Sequence, residues 1–194
     1  MKRSTLVFAA CLVFASPAFG QAHSDQKQEA APEERSSPSM PGPEQAFLAK
    51  RAGEYTRAVK FVGQPGVNAA ASTGSAKISV ILGGRFIQEE NNDTVFGRPV
   101  SGMRLYGYNN ITKQYEAIWT YTMSTAILML TGASNDGGKT IDYAGTTQTH
   151  EGSKISLYAR VRQVDDDQFV VTLSIPGPDG KEAAFQETTY TRKK

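Results

Sequence analysis

The sequence predicts an all-β domain, a closed up-and-down antiparallel barrel of about ten strands with one short helix on its N-terminal side. Apolar and polar residues alternate with a period of two over much of the chain after Gly53. Turn-forming Gly, Asn, Asp and Pro residues recur at intervals of roughly ten to fifteen residues, which leaves no room for crossover helices. A meander of this length exposes two unpaired edges unless its first and last strands meet, so we expect closure.

The first twenty residues have the organisation of a secretory signal peptide. Lys2 and Arg3 precede an apolar segment from Thr5 to Ala15, and an Ala-Phe-Gly sequence then supplies the small residues that a signal peptidase recognises. We therefore expect residues 1–20 to be removed and the protein to be periplasmic or secreted. The only cysteine, Cys11, would leave with them, so the mature chain would have no disulfide.

Residues 21–43 form a predicted disordered tether, and residues 44–194 form the predicted barrel domain. The tether is rich in Gln, Glu, Ser, Ala and Pro, and Met40 is its only large apolar residue. Such a segment cannot bury enough surface to offset the entropy lost on ordering. Loss of the two basic leader residues would leave 19 Lys and Arg residues against 19 acidic ones. This balance argues against nucleic-acid binding, which normally needs a basic excess.

A short helix is predicted from Pro43 to the residues before Gly53. Pro43 suits the first turn, Lys50 and Arg51 suit the negative end of the helix, and Gly53 is a typical stop. Its apolar stripe is narrow, so the helix can cover a core but cannot form one.

The strands are predicted from alternating residues that would place one apolar face inside the barrel. The clearest inward sets are Tyr55, Arg57, Val59 and Phe61; Ala76, Ile78, Val80 and Leu82; Ile155, Leu157, Ala159 and Val161; and Phe169, Val171, Leu173 and Ile175.

The most apolar stretch after the leader, from Gln114 to Gly132, is predicted to be a hairpin of the barrel wall rather than a membrane span. A transmembrane helix needs about 20 predominantly apolar residues, whereas hydroxyl side chains occupy the middle of this stretch and a turn is expected at Ser124-Thr125. The segment from Ala126 to Thr131 is apolar on both faces, so its outer face is expected to need cover from Phe47 and Leu48 of the helix.

Several segments resemble a known family. Gly53-Glu54-Tyr55 resembles the Gly-x-Trp opening of lipocalin-like barrels, with Tyr in place of Trp. LGGRFIQEE, GYNNITKQYEAIWTYTMSTAILMLTG and GPDGKEAAFQETTYTRK, in this order, resemble a bacterial family of exported lipocalin-like (calycin-type) domains of unknown function. The resemblance implies a calycin-type barrel and an exported protein. It implies no particular substrate and no catalytic residues.

No catalytic, metal or cofactor site is predicted. A catalytic triad needs a histidine, and the folded region contains only His150, in a predicted turn and without a nucleophile motif nearby. An exposed loop histidine is the favoured interpretation, and a lone axial ligand for haem is the alternative, because some related barrels hold haem in this way. No second histidine or cysteine is available for zinc in this region. The Asp165-Asp166-Asp167 run is interpreted as a tight turn rather than a calcium site.

Six residues are candidate ligand-binding residues. Arg104 and Tyr106 share one side of a strand and could hold a ligand carboxylate, which resembles the Arg-x-Tyr anion clasp of fatty-acid-binding barrels; the alternative is that Arg104 faces solvent. Arg85, Ile87 and Glu89 are expected to share one strand face, so Arg85 is either part of an exposed cross-strand ion pair or polar spot on the wall, or an inward anchor. The aromatic and thioether side chains either line a cavity or fill the core. The complete set is Arg85, Arg104, Tyr106, Trp119, Tyr121 and Met123.

The favoured function is non-catalytic binding of a small apolar or amphipathic molecule inside the barrel. A second hypothesis is a protein-interaction or structural module of the cell envelope with a fully packed interior. A third is a hydrolase or isomerase whose catalytic residues form no recognisable motif.

Overall fold

The computed structural model describes residues 37–62, 71–149 and 151–194, and the predicted leader and most of the predicted tether lie outside this part of the chain. One helix and ten strands make up the fold, with a short 3-10 turn between the second and third strands. Their bounds are α1 Pro43–Ala49, β1 Gly53–Phe61, β2 Ala71–Ile81, the 3-10 turn Leu82–Gly84, β3 Phe86–Val95, β4 Arg98–Asn109, β5 Gln114–Tyr121, β6 Leu128–Ala133, β7 Thr140–Gln148, β8 Lys154–Gln163, β9 Gln168–Pro176 and β10 Glu182–Arg192.

The ten strands form a closed barrel in which each strand pairs with its neighbour in the sequence. All ten pairings are antiparallel, and the barrel closes where β1 pairs with β10, from Tyr55 opposite Arg192 to Phe61 opposite Gln186. Closure satisfies the backbone groups of both edge strands, which would otherwise be open to pairing with another chain. The predicted fold class is therefore confirmed.

The interior contains most of the side chains that the period-two pattern assigned to it. Val80, near the end of β2, and Leu82, in the 3-10 turn, are exceptions, because both are exposed. In β1, Tyr55, Arg57 and Val59 are buried while the residues between them are exposed. Aromatic side chains supply much of the volume: the Phe169 and Tyr190 rings stack with centroids 4.2 Å apart, and the Tyr55 ring meets the edge of this pair. Burying one such side chain contributes about 1.5–3 kcal/mol, so this cluster is a main source of stability.

The helix covers the end of the barrel at which β1 begins, here called the helix end. Leu48 is buried there, and the Gln45 side chain donates a hydrogen bond of 2.8 Å to the carbonyl oxygen of Tyr108. Gly53 starts β1 with a φ of +147°, a conformation that favours glycine, and a Cβ at this position would clash with the Arg192 guanidinium. The glycine therefore lets the chain leave the helix and enter the barrel wall.

Arg51 lies inside the barrel rather than at the helix terminus that the sequence suggested. The helix ends at Ala49, and the buried Arg51 side chain donates a hydrogen bond of 3.2 Å to the Gln163 side chain while its guanidinium packs 5.5 Å from the Phe169 ring centroid. Burial lowers the pKa of the Arg51 guanidinium, against the partly compensating influence of nearby tyrosines. The buried, cationic Arg51 side chain therefore helps to fill the helix end of the barrel.

Two further expectations differ from the structure. The outer face of the segment before and in β6 has no cover from the helix: Ile127 is 66% exposed and Met129 is 67% exposed. The helix instead packs on β3 and β4, because its short apolar stripe enters the end of the barrel. The predicted tether extended to Pro43, whereas residues 38–40 contact the barrel, with the Asn110 amide donating to the Met40 carbonyl at 2.8 Å.

Candidate functional site

A cavity of about 330 Å³ opens at the end of the barrel opposite the helix. Its walls come from the later residues of β1, β3, β5, β7 and β9 and from the earlier residues of β4, β6, β8 and β10. This region is called the cavity end. The volume lies at the small end of the range of about 300–1,000 Å³ that is typical of ligand pockets.

Apolar side chains form the upper wall and the rim of the cavity. Val59, Val100 and Leu157 line the wall, and at the rim the Phe96 ring stacks on the Phe61 ring with centroids 5.1 Å apart. Met123 also lines the rim and is 63% exposed to solvent. Apolar groups that face both the solvent and the cavity would favour entry of an apolar molecule.

The floor of the cavity contains one buried ion pair contributed by β1 and β3. The Arg57 guanidinium donates to Oδ2 of Asp93, and the two side chains are 1% and 7% exposed. The Asn91 amide donates a second hydrogen bond to the same Asp93 oxygen at 3.1 Å. All three side chains project inward, because positions 91 and 93 continue the inward face of β3 and position 57 occupies the inward face of β1.

A second buried ion pair lies beside the first. Arg104 Nη1 is 3.1 Å from Oε1 of Glu89 and donates to the Tyr190 hydroxyl at 2.5 Å, and that hydroxyl donates to the same Glu89 oxygen at 2.8 Å. Glu89 and Arg104 are directly opposite each other on β3 and β4. The Arg104 guanidinium also packs 4.8 Å from the Trp119 ring centroid, an arrangement suited to a cation–π interaction.

These surroundings fix the protonation states of Arg104 and Tyr190. Burial acts to lower the pKa of Arg104, but interactions with Glu89, Tyr190 and Tyr106 together outweigh it, and the pKa lies well above its ordinary value. Burial, with a smaller contribution from the Glu89 charge, raises the pKa of Tyr190 to about 12. At neutral pH, Arg104 is therefore a permanent cation and Tyr190 a hydrogen-bond donor.

Three polar atoms of residues that line the cavity have no hydrogen-bond partner among the described residues. They are Nε of Arg57, Oδ1 of Asp93 and the indole Nε1 of Trp119, and all three atoms are buried. Buried polar groups in folded proteins nearly always have a partner, and each unpaired one costs about 1–3 kcal/mol. The floor therefore retains unused hydrogen-bonding capacity, two donors and one acceptor.

Four of the six residues singled out in the sequence meet at this cavity: Arg104, Trp119, Tyr121 and Met123. Tyr106 is buried in the core and does not line the cavity, and its ring makes a T-shaped contact with the Trp119 ring at a centroid distance of 6.3 Å. Arg85 lies at the helix end, where its Nε donates to the carbonyl oxygen of Ser39 at 3.0 Å. The 3-10 turn places Arg85 outside β3, so it does not share the inward face with Ile87 and Glu89 as expected.

Arg104 faces the interior rather than solvent and lies beside Tyr106, as the clasp hypothesis requires, but it already has a carboxylate partner. Its Nη1 atom binds Glu89 and Tyr190, so the carboxylate partner is supplied by the protein. Arg57, Asn91 and Asp93 complete the floor and were not singled out. Tyr190, which was not singled out either, contacts Arg104 but does not line the cavity. A signal was present for Arg57, a charged residue at an inward position of an otherwise apolar face. Asn91 and Asp93 continue the face of Glu89 at the period of two.

No group of three or more potential metal-ligating side chains occurs within residues 37–62, 71–149 and 151–194. His150, the candidate haem ligand, lies outside the described residues. Within the same ranges, no helix has the length and apolar character needed to cross a membrane.

Ten antiparallel strands closed around an interior cavity, with one helix over the opposite end, define a lipocalin-like barrel. Residues 40–192 match the family described as a protein of unknown function (DUF1579), and the chain belongs to this family. A search of curated proteins found no significant relative.

Solved structures resemble this chain at low sequence identity, and the first of them shares its fold. The crystal structure of Rv2717c from M. tuberculosis is 12% identical, covers 79% of this chain and 99% of its own, and has a TM-score of 0.54. The S-type phycobiliprotein lyase CPES from Guillardia theta is 11% identical, with coverage of 77% and 92% and a TM-score of 0.48. These likenesses concern the fold alone.

Proposed function

We propose that this barrel binds a small amphipathic molecule in its cavity and performs no chemistry on it. The observation that carries the proposal is the division of the cavity into an apolar wall and rim and a hydrogen-bonding floor. An apolar chain would bury its surface along Val59, Val100 and Leu157, and a polar group at its end would reach the floor.

The ionisable groups of the floor support binding rather than catalysis. A general acid or base works best when its pKa lies near the operating pH. Arg104 and Tyr190 both have pKa values raised far from neutrality, and Glu89 and Asp93 are held by arginine partners. The floor is therefore suited to orienting a polar group and poorly suited to transferring protons at neutral pH.

Ligand binding is tested by native mass spectrometry of freshly purified protein and by fluorescence titration. Trp119 is the only tryptophan in the chain and lines the cavity, so its emission reports occupancy directly. Decanol, decanamide, decanoic acid and decylamine are suitable probes, because they share one apolar chain and differ in the polar group. We expect at least one of them to bind with a stoichiometry of one and to change Trp119 emission.

A matched pair of variants locates the site. Val100→Phe places a ring in the cavity wall and is expected to abolish or strongly weaken binding. Val80→Phe makes the same chemical change at the helix end, where Val80 is exposed and does not line the cavity, and is expected to leave binding unchanged. If no probe binds the unaltered protein, or if Val100→Phe binds as well as the parent, the cavity is not a binding site.

The exposed apolar outer wall favours a second candidate, a protein-interaction module. Ile127 and Met129 are largely exposed on one side of the barrel, and single exposed residues of this kind become informative when they cluster. Cross-linking in the native compartment, compared between the parent and Met129→Glu, tests this candidate. An identical set of cross-linked proteins in the two samples would remove the reason for it.

We also propose that the protein is exported, on the basis of the leader pattern in residues 1–20. The test is the N-terminal sequence of protein isolated from its native cells. A mature chain that begins at Gln21 supports the proposal, and a chain that retains residues 1–20 refutes it.

A further inference from the structure

The buried charges of the cavity floor balance one another. Arg57 pairs with Asp93, and Arg104 pairs with Glu89, so two cations face two anions. A third buried cation, Arg51, lies at the helix end, and the stacked rings of Phe169 and Tyr190 link it to Arg57 through successive contacts. The floor that a ligand would meet therefore carries no net charge of its own.

A charged ligand group would disturb this balance. A carboxylate on the floor would place a third anion beside two cations that already have partners, and an ammonium would place a third cation beside two paired anions. Removing such a charge from water without a free counter-charge is costly, and the cost grows as the surroundings become less polar. A neutral group avoids this desolvation penalty.

The unused hydrogen-bonding atoms of the floor indicate what a neutral group should carry. The N–H groups at Arg57 Nε and Trp119 Nε1 need an acceptor, and Asp93 Oδ1 needs a donor. All three residues line the same cavity, but the three atoms are themselves buried, so one small group with both functions could serve them once the side chains turn these atoms towards it. A hydroxyl or a primary amide has both functions, an ester has only an acceptor, and a hydrocarbon end has neither.

We propose that the cavity is selective for amphipathic molecules with an uncharged polar end that both accepts and donates hydrogen bonds, such as an alcohol or a primary amide. This inference rests on the proposed binding function and specifies the chemical class of its ligand. It replaces the carboxylate-bearing ligand that the sequence suggested, because the carboxylate partner of Arg104 is Glu89.

The test compares probes that share a decyl or decanoyl chain and differ at the polar end. Dissociation constants for decanol, decanamide, methyl decanoate, decanoate and decylamine are measured at neutral pH by Trp119 fluorescence. Decanamide and decanol are expected to bind about tenfold or more tightly than decanoate and decylamine, and more tightly than methyl decanoate, which lacks the donor. Equal or tighter binding of decanoate, decylamine or the ester overturns the inference and leaves the binding function intact.

Charge variants provide an independent test of the inference. Asp93→Asn removes one anion from the floor and frees the charge of Arg57, so decanoate is expected to gain about tenfold or more relative to decanamide. Asp142→Asn is the matched control, because it makes the same change in an exposed ion pair with Arg160 on the outer wall. It should leave the order of affinities unchanged.

The possible outcomes separate the two proposals. An unchanged preference in Asp93→Asn, or the same shift in Asp142→Asn, contradicts the charge-balance argument. If Asp93→Asn does not fold, Glu89→Gln makes the equivalent change at the second ion pair, and the probe series on the unaltered protein still decides the inference. If none of the probes binds the unaltered protein, the binding function fails and the inference fails with it.

Discussion

The two ends of the barrel are built from the same strands and differ in what fills them. At the helix end, Leu48 and Tyr55 pack into a solid plug with Arg51 and the stacked pair of Phe169 and Tyr190. At the cavity end, the walls enclose about 330 Å³ and the floor carries two ion pairs. A period-two pattern places side chains inside in both cases. Whether the interior is full depends on which side chains meet across it.

This comparison separates stability from binding. The helix end has the dense packing that stabilises a core, whereas the cavity end keeps polar groups and space that would lower stability if nothing occupied them. Such departures from an optimal core are expected at functional sites.

The largest effect is expected from breaking a buried ion pair at the cavity end. Glu89→Gln leaves the Arg104 cation buried without its counter-charge, which should lower the free energy of unfolding by about 3–5 kcal/mol. Urea denaturation followed by circular dichroism measures the change. A loss below 1 kcal/mol would mean that water solvates the charge of the Arg104 guanidinium. The floor would then be more hydrated than its burial suggests.

A leucine truncation at each end tests the packing difference directly. Leu48→Ala should cost about 2–5 kcal/mol, because it opens a new void in a filled region. Leu157→Ala enlarges a cavity that already exists, so the cost should lie at or below the low end of that range. Equal losses in the two variants, measured by the same denaturation, would contradict the distinction between a solid end and a hollow end.

Alkaline pH should weaken the fold through its buried tyrosines. Burial raises the pKa of Tyr190 from 10.0 to about 12, so folding favours its protonated form. The contribution is complete below pH 10, where both states keep the proton, and is lost as pH rises from 10 to 12, because the unfolded chain ionises first. The loss should reach about 3 kcal/mol.

Tyr190→Phe is the control for that pH dependence. It removes the ionisable hydroxyl, so part of the decrease in stability between pH 10 and 12 should disappear, while the remaining buried tyrosines keep theirs. Denaturation curves across this range compare the two proteins. If the free energy of unfolding fell equally with pH in both proteins, Tyr190 would ionise at its ordinary pKa in the folded state.

The smallest effect is expected on the outer wall. Asp142 and Arg160 form an ion pair whose side chains are 58% and 61% exposed, and such pairs contribute about 0–1 kcal/mol. Asp142→Asn should therefore change stability far less than Glu89→Gln, although both remove one carboxylate from an ion pair. A comparable loss in both variants would remove burial as the reason for the difference.

Much of the fold followed from local pattern. Tyr55, Arg57 and Val59 alternate with exposed residues and point inward as expected, and the segment from Gln114 to Gly132 contains β5 and β6 joined by a turn region. Two errors have one cause. The position of Arg85 and the lack of cover over Met129 depend on where the chain bends and where the helix docks, and neither is encoded in the period of the pattern.

The candidate site was only partly accessible from sequence. Trp119 and Arg104 were singled out because aromatic and cationic residues stand out in a strand, whereas Asp93 and Tyr190 were not. Their roles depend on partners that are distant in the sequence. Arg57 meets Asp93 across 36 positions, and Tyr190 meets Glu89 across 101. No local pattern identifies such a pair before the barrel is closed.

The sequence by itself determined that this chain is a closed antiparallel barrel. Alternation and turn spacing are local features that define a strand meander, and its two edge strands satisfy their backbone groups by pairing with each other. Only the tertiary structure decided that the helix end is filled, that the cavity end is open, and that four charges cancel in between. The physical reason is that packing volume and charge compensation are properties of side chains meeting across the interior. The same inward face can therefore enclose a solid core or a hollow one.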